Sequence, residues 1–505
     1  MGCALSSRHY VGIDLGTVST CLAYADDDGK VDISRNEGGS GLLPSVILFT
    51  NEGKYVGDQA ISRRFDYNAS NIVYFFKRMM GTGFKRNFDG ISYDASEMSA
   101  IVLKKAIEGF EANTGDKLDS AVMTVPGDFS DDEKNSLVAA AKMVGIERLE
   151  LLNESIAASI SYRYFSKDTR NRRIIVYDLG GGTLDITVMA INGNSFTVLA
   201  DESSKDLGGR DWDLQLANII QKKVLNSIGL KPEDVVSDSE FRVAIMAEAE
   251  RLKLALENNT RSVGTVKVRG RPVRYIVTRG EFEDATSWLM MKTINMVGYA
   301  LRNARLNMSN IDSILLVGGS TKMPQVQRSL KDAFPSVDLV SFDPEHAVAR
   351  GAALYARSVF SNDDIKVRSV ATRTIGVLAG IDGVEKVSNV IFRNMPLPID
   401  KTMMCRPKRD DQMDLEISIY ESLAKEGDDF IDPAEAKLLA KNVFKLQGKV
   451  TRGKTKIPIR FIADKDGRIS VAIECNGELS ECCMCRPMPT FEEIQASAEK
   501  LEGIV

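Results

Sequence analysis

The sequence predicts an α/β fold in which one strand–turn–strand unit occurs twice, followed by a β-sandwich and a short C-terminal helix. Three observations predict it. Val11-Gly12-Ile13-Asp14-Leu15-Gly16-Thr17 and Ile174-Ile175-Val176-Tyr177-Asp178-Leu179-Gly180-Gly181-Gly182-Thr183-Leu184-Asp185 share one order: apolar strand, Asp, glycine turn with a Thr, second strand. Strand-like runs alternate with helical periodicity as far as Phe360. Beyond it, short alternating segments at close spacing replace the helices.

The first element is the hairpin over 10–24, whose turn carries Gly16, Thr17, Val18 and Ser19. Glycine lets the backbone turn tightly, so successive N–H groups converge on an anion. An Asp beside such a nest repels bare phosphate and makes sense if a divalent cation lies between. Magnesium keeps several waters and meets a protein through few carboxylates. Asp14 and Asp178 therefore read as the two sides of a magnesium–nucleotide clamp, with Gly180, Gly181, Gly182 and Thr183 as the second phosphate turn.

Between the hairpins, a strand is expected over 45–49 before a charged turn at 50–54, then a helix over 98–111 and a strand over 121–125 closed by Pro126. Ser130 caps a helix over 131–144 with acidic residues in its first turn. After the second hairpin come helices over 211–228, 240–257 and 282–303. Lys267, Arg269, Arg271 and Arg274 alternate with Val266, Val268 and Val273, the pattern of a hairpin's solvated face. A third glycine turn, Gly318-Gly319-Ser320-Thr321-Lys322, follows the buried strand 314–317 and leads into a helix with Pro324 in its first turn. It would add a helix N-terminus to the phosphate cradle. After the polar break at 361–364, strands are expected over 415–420, 442–446, 457–463 and 469–474, with Asp464-Lys465-Asp466-Gly467 as a hairpin turn. Thr490 and Glu493 form a capping box opening the last helix.

Composition excludes several classes. A net charge of -5 over 505 residues leaves no domain-wide basic excess, so nucleic acid is not expected as partner. No apolar run approaches the roughly 18 residues of a membrane span, and the N-terminus lacks the apolar core of a secretory signal. Seven cysteines without such a signal point to reduced thiols in a cytoplasmic protein. The cluster Cys475, Cys482, Cys483 and Cys485 fits no standard zinc spacing. Met1-Gly2-Cys3-Ala4-Leu5-Ser6 fits the N-myristoylation pattern, with Gly2 as acceptor and Cys3 as a second, palmitoyl anchor. It reads equally as a chance match on a flexible tail, so peripheral membrane contact stays an alternative.

Taken in order, these motifs resemble the seventy-kilodalton heat-shock chaperone family from about residue 10 to 360, and more weakly from 374 to 474. The resemblance implies a flexible segment at 1–9, an actin-like nucleotide-binding domain at 10–360, a linker at 361–371, a peptide-binding β-sandwich at 372–488 and a truncated helix at 489–505 in place of a lid. It implies an ATPase that binds ATP or ADP with Mg2+, with K+ as a candidate further cation. Unfolded or nascent polypeptides would be its clients, with a J-domain cochaperone and a nucleotide exchange factor as partners. Lys77, in Phe76-Lys77-Arg78-Met79-Met80-Gly81, resembles the family's catalytic lysine. Glu154, in Asn153-Glu154-Ser155, matches a glutamate near the metal's water shell. Asp14 and Asp178 would hold magnesium through water, and Thr183 and Asp185 would order the attacking water. Pro126 and Lys134 resemble a proline switch and its basic relay. Leu207-Gly208-Gly209-Arg210-Asp211 resembles a conserved turn that carries an acid where Arg210 stands. Glu250, Lys253, Leu254 and Glu257 align with the adenosine side, and Gly318, Gly319, Ser320, Lys322 and Glu345 with the third phosphate turn and its neighbour.

The chain also departs from the family pattern. Leu254 replaces the arginine that stacks on adenine, a cation–π contact of about 0.5–2 kcal/mol. Glu257 replaces a serine near the ribose. Glu150 stands where an arginine receives the J-domain, and a reversed charge repels the usual partner. The linker Asp364-Ile365-Lys366-Val367-Arg368 is less apolar than the family's leucine-rich one, so weaker docking on the ATPase domain is expected. Three readings follow: a slow, divergent, lidless ATP-hydrolysing chaperone; an ATP-binding adapter working with a J-protein at the ribosome; and, against the β-rich C-terminal region and Lys77, a sugar kinase on the same clamp.

Overall fold

The computed structural model describes residues 9–361, 365–381, 383–446, 450–475, 478–483 and 488–504. Gly2 and Cys3, the 362–364 part of the linker and Cys485 lie outside these residues.

The first lobe is built on β1 (Tyr10–Leu15), β2 (Ser19–Ala25) and β3 (Val31–Ile33), then α1 (Ala95–Thr114), β4 (Ser120–Val125), α2 (Asp131–Met143) and β5 (Arg148–Asn153). Its sheet runs β5-β4-β1-β2-β3, parallel from β5 to β1 and antiparallel from β1 to β3. After α3 (Glu154–Ser166) the second lobe contains β6 (Arg172–Leu179), β7 (Leu184–Asn192) and β8 (Ser195–Ser204), then α4 (Gly209–Ile228), α5 (Ser239–Asn258) and α6 (Arg279–Asn303). It continues with β9 (Ser313–Val317), α7 (Pro324–Ala333), β10 (Asp338–Ser341), α8 (Ala347–Ser361) and β11 (Lys366–Arg368). The order β10-β9-β6-β7-β8 repeats the first sheet strand for strand, parallel and antiparallel pairs included. The duplication read from two turns therefore extends through both sheets.

What spaces the lobes is the crossing of α3 and α8 between the two sheets. Ala157 and Ala158 of α3 meet Ala349, Ala352 and Ala353 of α8 in one buried cluster with strand residues of both sheets. Small residues let the backbones approach. A Cβ on Gly351 would lie 1.7 Å from the Ala157 carbonyl oxygen, and one on Gly12 of β1 would lie 2.2 Å from the Ala353 nitrogen.

The C-terminal region is a β-sandwich. Its strands are β12 (Thr374–Ile381), β13 (Val384–Ile391), β14 (Ile399–Cys405), β15 (Asp414–Ser422), β16 (Phe430–Ile431), β17 (Lys437–Lys445), β18 (Ile457–Ala463), β19 (Ile469–Cys475) and β20 (Glu478–Cys483). One sheet runs β16-β13-β12-β15-β17 and the other β14-β18-β19-β20, with Ile375, Ile417, Ile419, Ile459, Phe461 and Val471 in the core between them. The expected turn at 464–467 joins β18 to β19.

Two expectations are corrected. The turn predicted at 50–54 is narrower, because Gly53–Val56 is already a strand paired with Ile47–Thr50. The third glycine turn does not open straight into a helix: Gly319–Lys322 forms a 3-10 turn before Pro324 starts α7. The linker adds β11 to the second lobe's sheet, parallel to β8, with Val370 buried and Val367 packed against the interlobe core. Main-chain hydrogen bonds carry this docking and do not depend on leucines. The last helix, α9 (Phe491–Glu499), has the predicted Thr490–Glu493 capping box and packs on the first lobe. Ile494 and Leu501 join that lobe's core, Lys500 pairs with Glu97 at 2.6 Å, and the Lys54 N–H donates to Gly503 O at 2.8 Å. Among the described residues no helix is long and apolar enough to cross a membrane.

Candidate functional site

The two glycine turns face each other across the cleft. A Cβ on Gly181 would lie 2.1 Å from the Val18 side chain, and one on Gly182 would lie 2.8 Å from that of Thr17. The Gly180 N–H donates to Thr183 O at 3.0 Å, closing the second turn. The Gly180 carbonyl accepts the Gly209 N–H at 2.9 Å and the Ser320 hydroxyl at 3.0 Å. That one carbonyl joins the second turn, the head of α4 and the third turn. Gly318, at φ 82, takes a backbone conformation that favours glycine, and a Cβ there would meet Leu179 O at 2.4 Å.

Four acids and one base converge beneath these turns. Asp178, next to last in β6, stands directly opposite Asp185 of β7, and Asp14, next to last in β1, has Thr124 Oγ1 3.3 Å from its carboxylate. Glu154 heads α3, which Asn153 caps by accepting the Ser155 N–H at 2.8 Å. Lys77 lies on the single 3-10 turn Phe76–Met79, is 4% exposed, and donates to Glu154 Oε1 at 3.0 Å.

The electrostatics are those of a cation site. Burial, reinforced by Glu154, pushes Asp14 up to about 7. Burial, with Glu154 and Asp14 beside it, raises Asp178 well above the carboxylate range, and burial with Asp128, Asp201 and Glu154 does the same to Asp185. Burial acts downward on Lys77, but Glu154, Asp14 and Asp185 outweigh it and hold the ammonium above its ordinary value. One lysine faces four acids, and among the described residues Asp185 Oδ1 is buried without a hydrogen-bond partner. These residues fit a divalent cation. Among the described residues no group of three or more His, Cys, Asp or Glu is set to ligate a metal directly. A cation here would complete its shell with water and phosphate, as magnesium does.

A pH dependence follows. A carboxyl whose folded pKa is raised binds more protons folded than unfolded, so its contribution to stability is full below the unfolded pKa of about 3.9 and is lost as pH rises through the folded value. For Asp14 the window runs from about 4 to about 7. The metal-free protein should therefore lose melting temperature between pH 5 and pH 7.5, and Mg2+ with ADP should raise it more at pH 7.5 than at pH 5. Equal shifts at both pH values would contradict the charge assignment.

The residues that align with the family's adenosine side lie on and around α5. Lys253 of α5 donates to Asp213 at 2.8 Å and to Gly209 O at 3.3 Å, while Leu254 is 56% exposed. Burial raises Glu250, and burial raises Glu257, which has Lys322 and Glu345 near it. Lys322 pairs with Glu345 at 2.5 Å.

Pro126 and Lys134 are placed elsewhere, at the junction with the β-sandwich. They line a cavity of about 640 Å³ that also takes in Glu150, Arg373, Asp466 and Arg468. The Lys134 ammonium donates to Asp466 O at 2.7 Å, and Arg373 pairs with Asp128 at 3.2 Å.

The sequence reading missed a second polar group between site and sandwich. Thr187 donates to Asp201 at 2.5 Å and lies 2.7 Å from the Ser155 hydroxyl. The Asp201 N–H donates to the Asn394 side chain at 2.9 Å, and Arg393 pairs with Glu202 at 3.0 Å. No local motif signals it, because Arg393 and Asn394 lie nearly two hundred residues from Asp201 and Glu202.

Comparison with known proteins agrees with this geometry. The family model described as "Hsp70 protein" matches residues 10–89 and 82–483. The protein named chaperone protein DnaK from Thermotoga neapolitana is 30% identical over 494 residues, covering 94% of this chain and 79% of the relative. The proteins of that name from Thermotoga petrophila and Thermotoga maritima match to the same extent.

Proposed function

The chain belongs to the Hsp70 protein family, and on that premise we propose that it is an ATP-dependent chaperone that hydrolyses ATP slowly and assists unfolded polypeptides. The observation that carries the reading is Lys77, buried and bonded to Glu154, among Asp14, Asp178 and Asp185 beneath two facing phosphate turns. Phosphoryl transfer to water needs positioning and charge neutralisation more than covalent chemistry. Asp14 and Asp178 would hold Mg2+ through water; the bound ion supplies charge neutralisation on the phosphates. Lys77 stabilises negative charge gathering on the γ-phosphoryl oxygens, and Glu154 fixes its ammonium. Asp185, with its free Oδ1, and Thr183 orient the attacking water.

The sandwich would take the client. Met404 and Met413, 60% and 74% exposed at the two ends of the connection from β14 to β15, are apolar side chains an extended apolar chain would meet there. The docked linker, with Arg393–Glu202 and Arg373–Asp128, supports coupling between client and nucleotide. A J-domain protein and a nucleotide exchange factor are the proposed partners, and the cytoplasm the proposed location. Two features favour a second reading, the ATP-binding adapter that scarcely turns over: Leu254 offers no cation to adenine, and Glu150 reverses a charge at the J-domain position.

Single-turnover hydrolysis of ATP, with and without an apolar peptide, separates the two. A measurable rate that changes with peptide supports the chaperone. Tight ATP binding without hydrolysis supports the adapter, and transfer of phosphate to a sugar would overturn both.

A further inference from the structure

We propose that Arg210 and Phe75 form a clasp between the lobes that sets the position of Lys77, making Arg210 a positioning residue for hydrolysis; this rests on the ATPase reading of Lys77. Phe75 immediately precedes the turn that carries Lys77 and has φ 59 and ψ 22. The left-handed region suits glycine and asparagine, and a bulky aromatic residue persists there only when its surroundings hold it. The turn itself offers no such hold, since no side-chain cap bonds to it.

The hold comes from the other lobe. The Arg210 guanidinium lies over the Phe75 ring, 4.1 Å from its centroid. Arg210 sits in the first turn of α4, and its N–H donates to Gly181 O at 2.8 Å. The arginine is thus tied to the second phosphate turn while its side chain grips the first lobe. No carboxylate among the described residues forms an ion pair with it; burial and then the nearby Arg78 charge hold it below its ordinary value, against the weaker pull of Asp211 and Asp213. The ring face is what the guanidinium meets. On the far side of Lys77, Arg78 also reaches into the second lobe, donating to the Lys205 carbonyl and lying 3.6 Å from Asp206. Lys77 therefore sits between two residues gripped from across the cleft. When the lobes part, the grip is lost, Phe75 leaves the left-handed region, and Lys77 moves off its bond to Glu154. Closure over nucleotide and placement of the lysine become one event.

The test measures single-turnover ATP hydrolysis and ATP affinity in wild type, Arg210→Ala, Phe75→Gly and the double variant. Arg210→Ala should slow hydrolysis about tenfold, within the range of a lost cation–π contact, while ATP affinity changes less than about threefold. Glycine occupies φ near 60° without help, so in the Phe75→Gly background Arg210→Ala should slow hydrolysis less than about twofold. Arg210→Lys keeps a cation over the ring and should fall between wild type and alanine, which guards against misfolding of the alanine variant. An equal loss from Arg210→Ala in both backgrounds, or none in the wild-type background, would overturn the clasp. Lys77→Ala in the same assay separates the premises: if it hydrolyses like wild type, the ATPase reading itself fails.

Discussion

Lys77→Ala should lower the single-turnover rate of ATP hydrolysis by about 10²–10³-fold, the effect of removing one preorganised donor from a developing oxyanion. The size follows from where the ammonium sits. It is 4% exposed, bonded to Glu154 at 3.0 Å, and held charged by Glu154, Asp14 and Asp185 against the cost of burial. Water cannot take its place without losing that fixed geometry. ATP affinity should change far less, because on the proposed reading the glycine turns and the head of α4 would supply most phosphate contacts. Quench-flow hydrolysis with a parallel binding titration checks this: loss of affinity equal to the loss of rate would make Lys77 a binding residue rather than a catalytic one.

Gly351→Ala should be the most destabilising single methyl added to the nucleotide-binding lobes. In a helix interior alanine is normally better than glycine by about 1 kcal/mol. Here the new Cβ would stand 1.7 Å from Ala157 O and 2.4 Å from Ala157 C, backbone atoms that cannot swing aside. The helices α3 and α8 would have to separate, and overpacking of this kind costs about 3 kcal/mol or more. A melting temperature lower by about 5–10 °C is expected. Gly280→Ala is the control: it lies on the exposed start of α6 with nothing within 4 Å of its Cβ, so the propensity gain should be realised. A Gly351→Ala variant as stable as wild type would mean the lobes are not spaced by this crossing.

The two facing turns were legible because their pattern is local. A strand, an Asp and a glycine turn occupy consecutive positions, and in the fold Gly181 and Gly182 face Val18 and Thr17 while Asp14 lies near Asp178. Lys77 and Glu154 were found through family motifs, and the structure joins them by a hydrogen bond. What stayed hidden depends on partners far apart in the chain. Thr187, Asp201 and Asn394 look like ordinary polar residues until β7, β8 and the sandwich come together. Phe75 reads as one apolar residue in a run, since sequence does not print a dihedral angle. The linker's strand was hidden for a different reason: side-chain composition was weighed, whereas β11 pairs through its backbone. Gly351 reads as a helix weakener, and only the crossing with Ala157 shows its use.

The measurement that bears most directly on the central claim is release of phosphate from ATP by the purified wild-type chain in single turnover, with Mg2+ and with EDTA. A rate that requires Mg2+ and gives ADP and inorganic phosphate is the predicted result. ATP that stays intact on the protein with saturating Mg2+ would contradict the account.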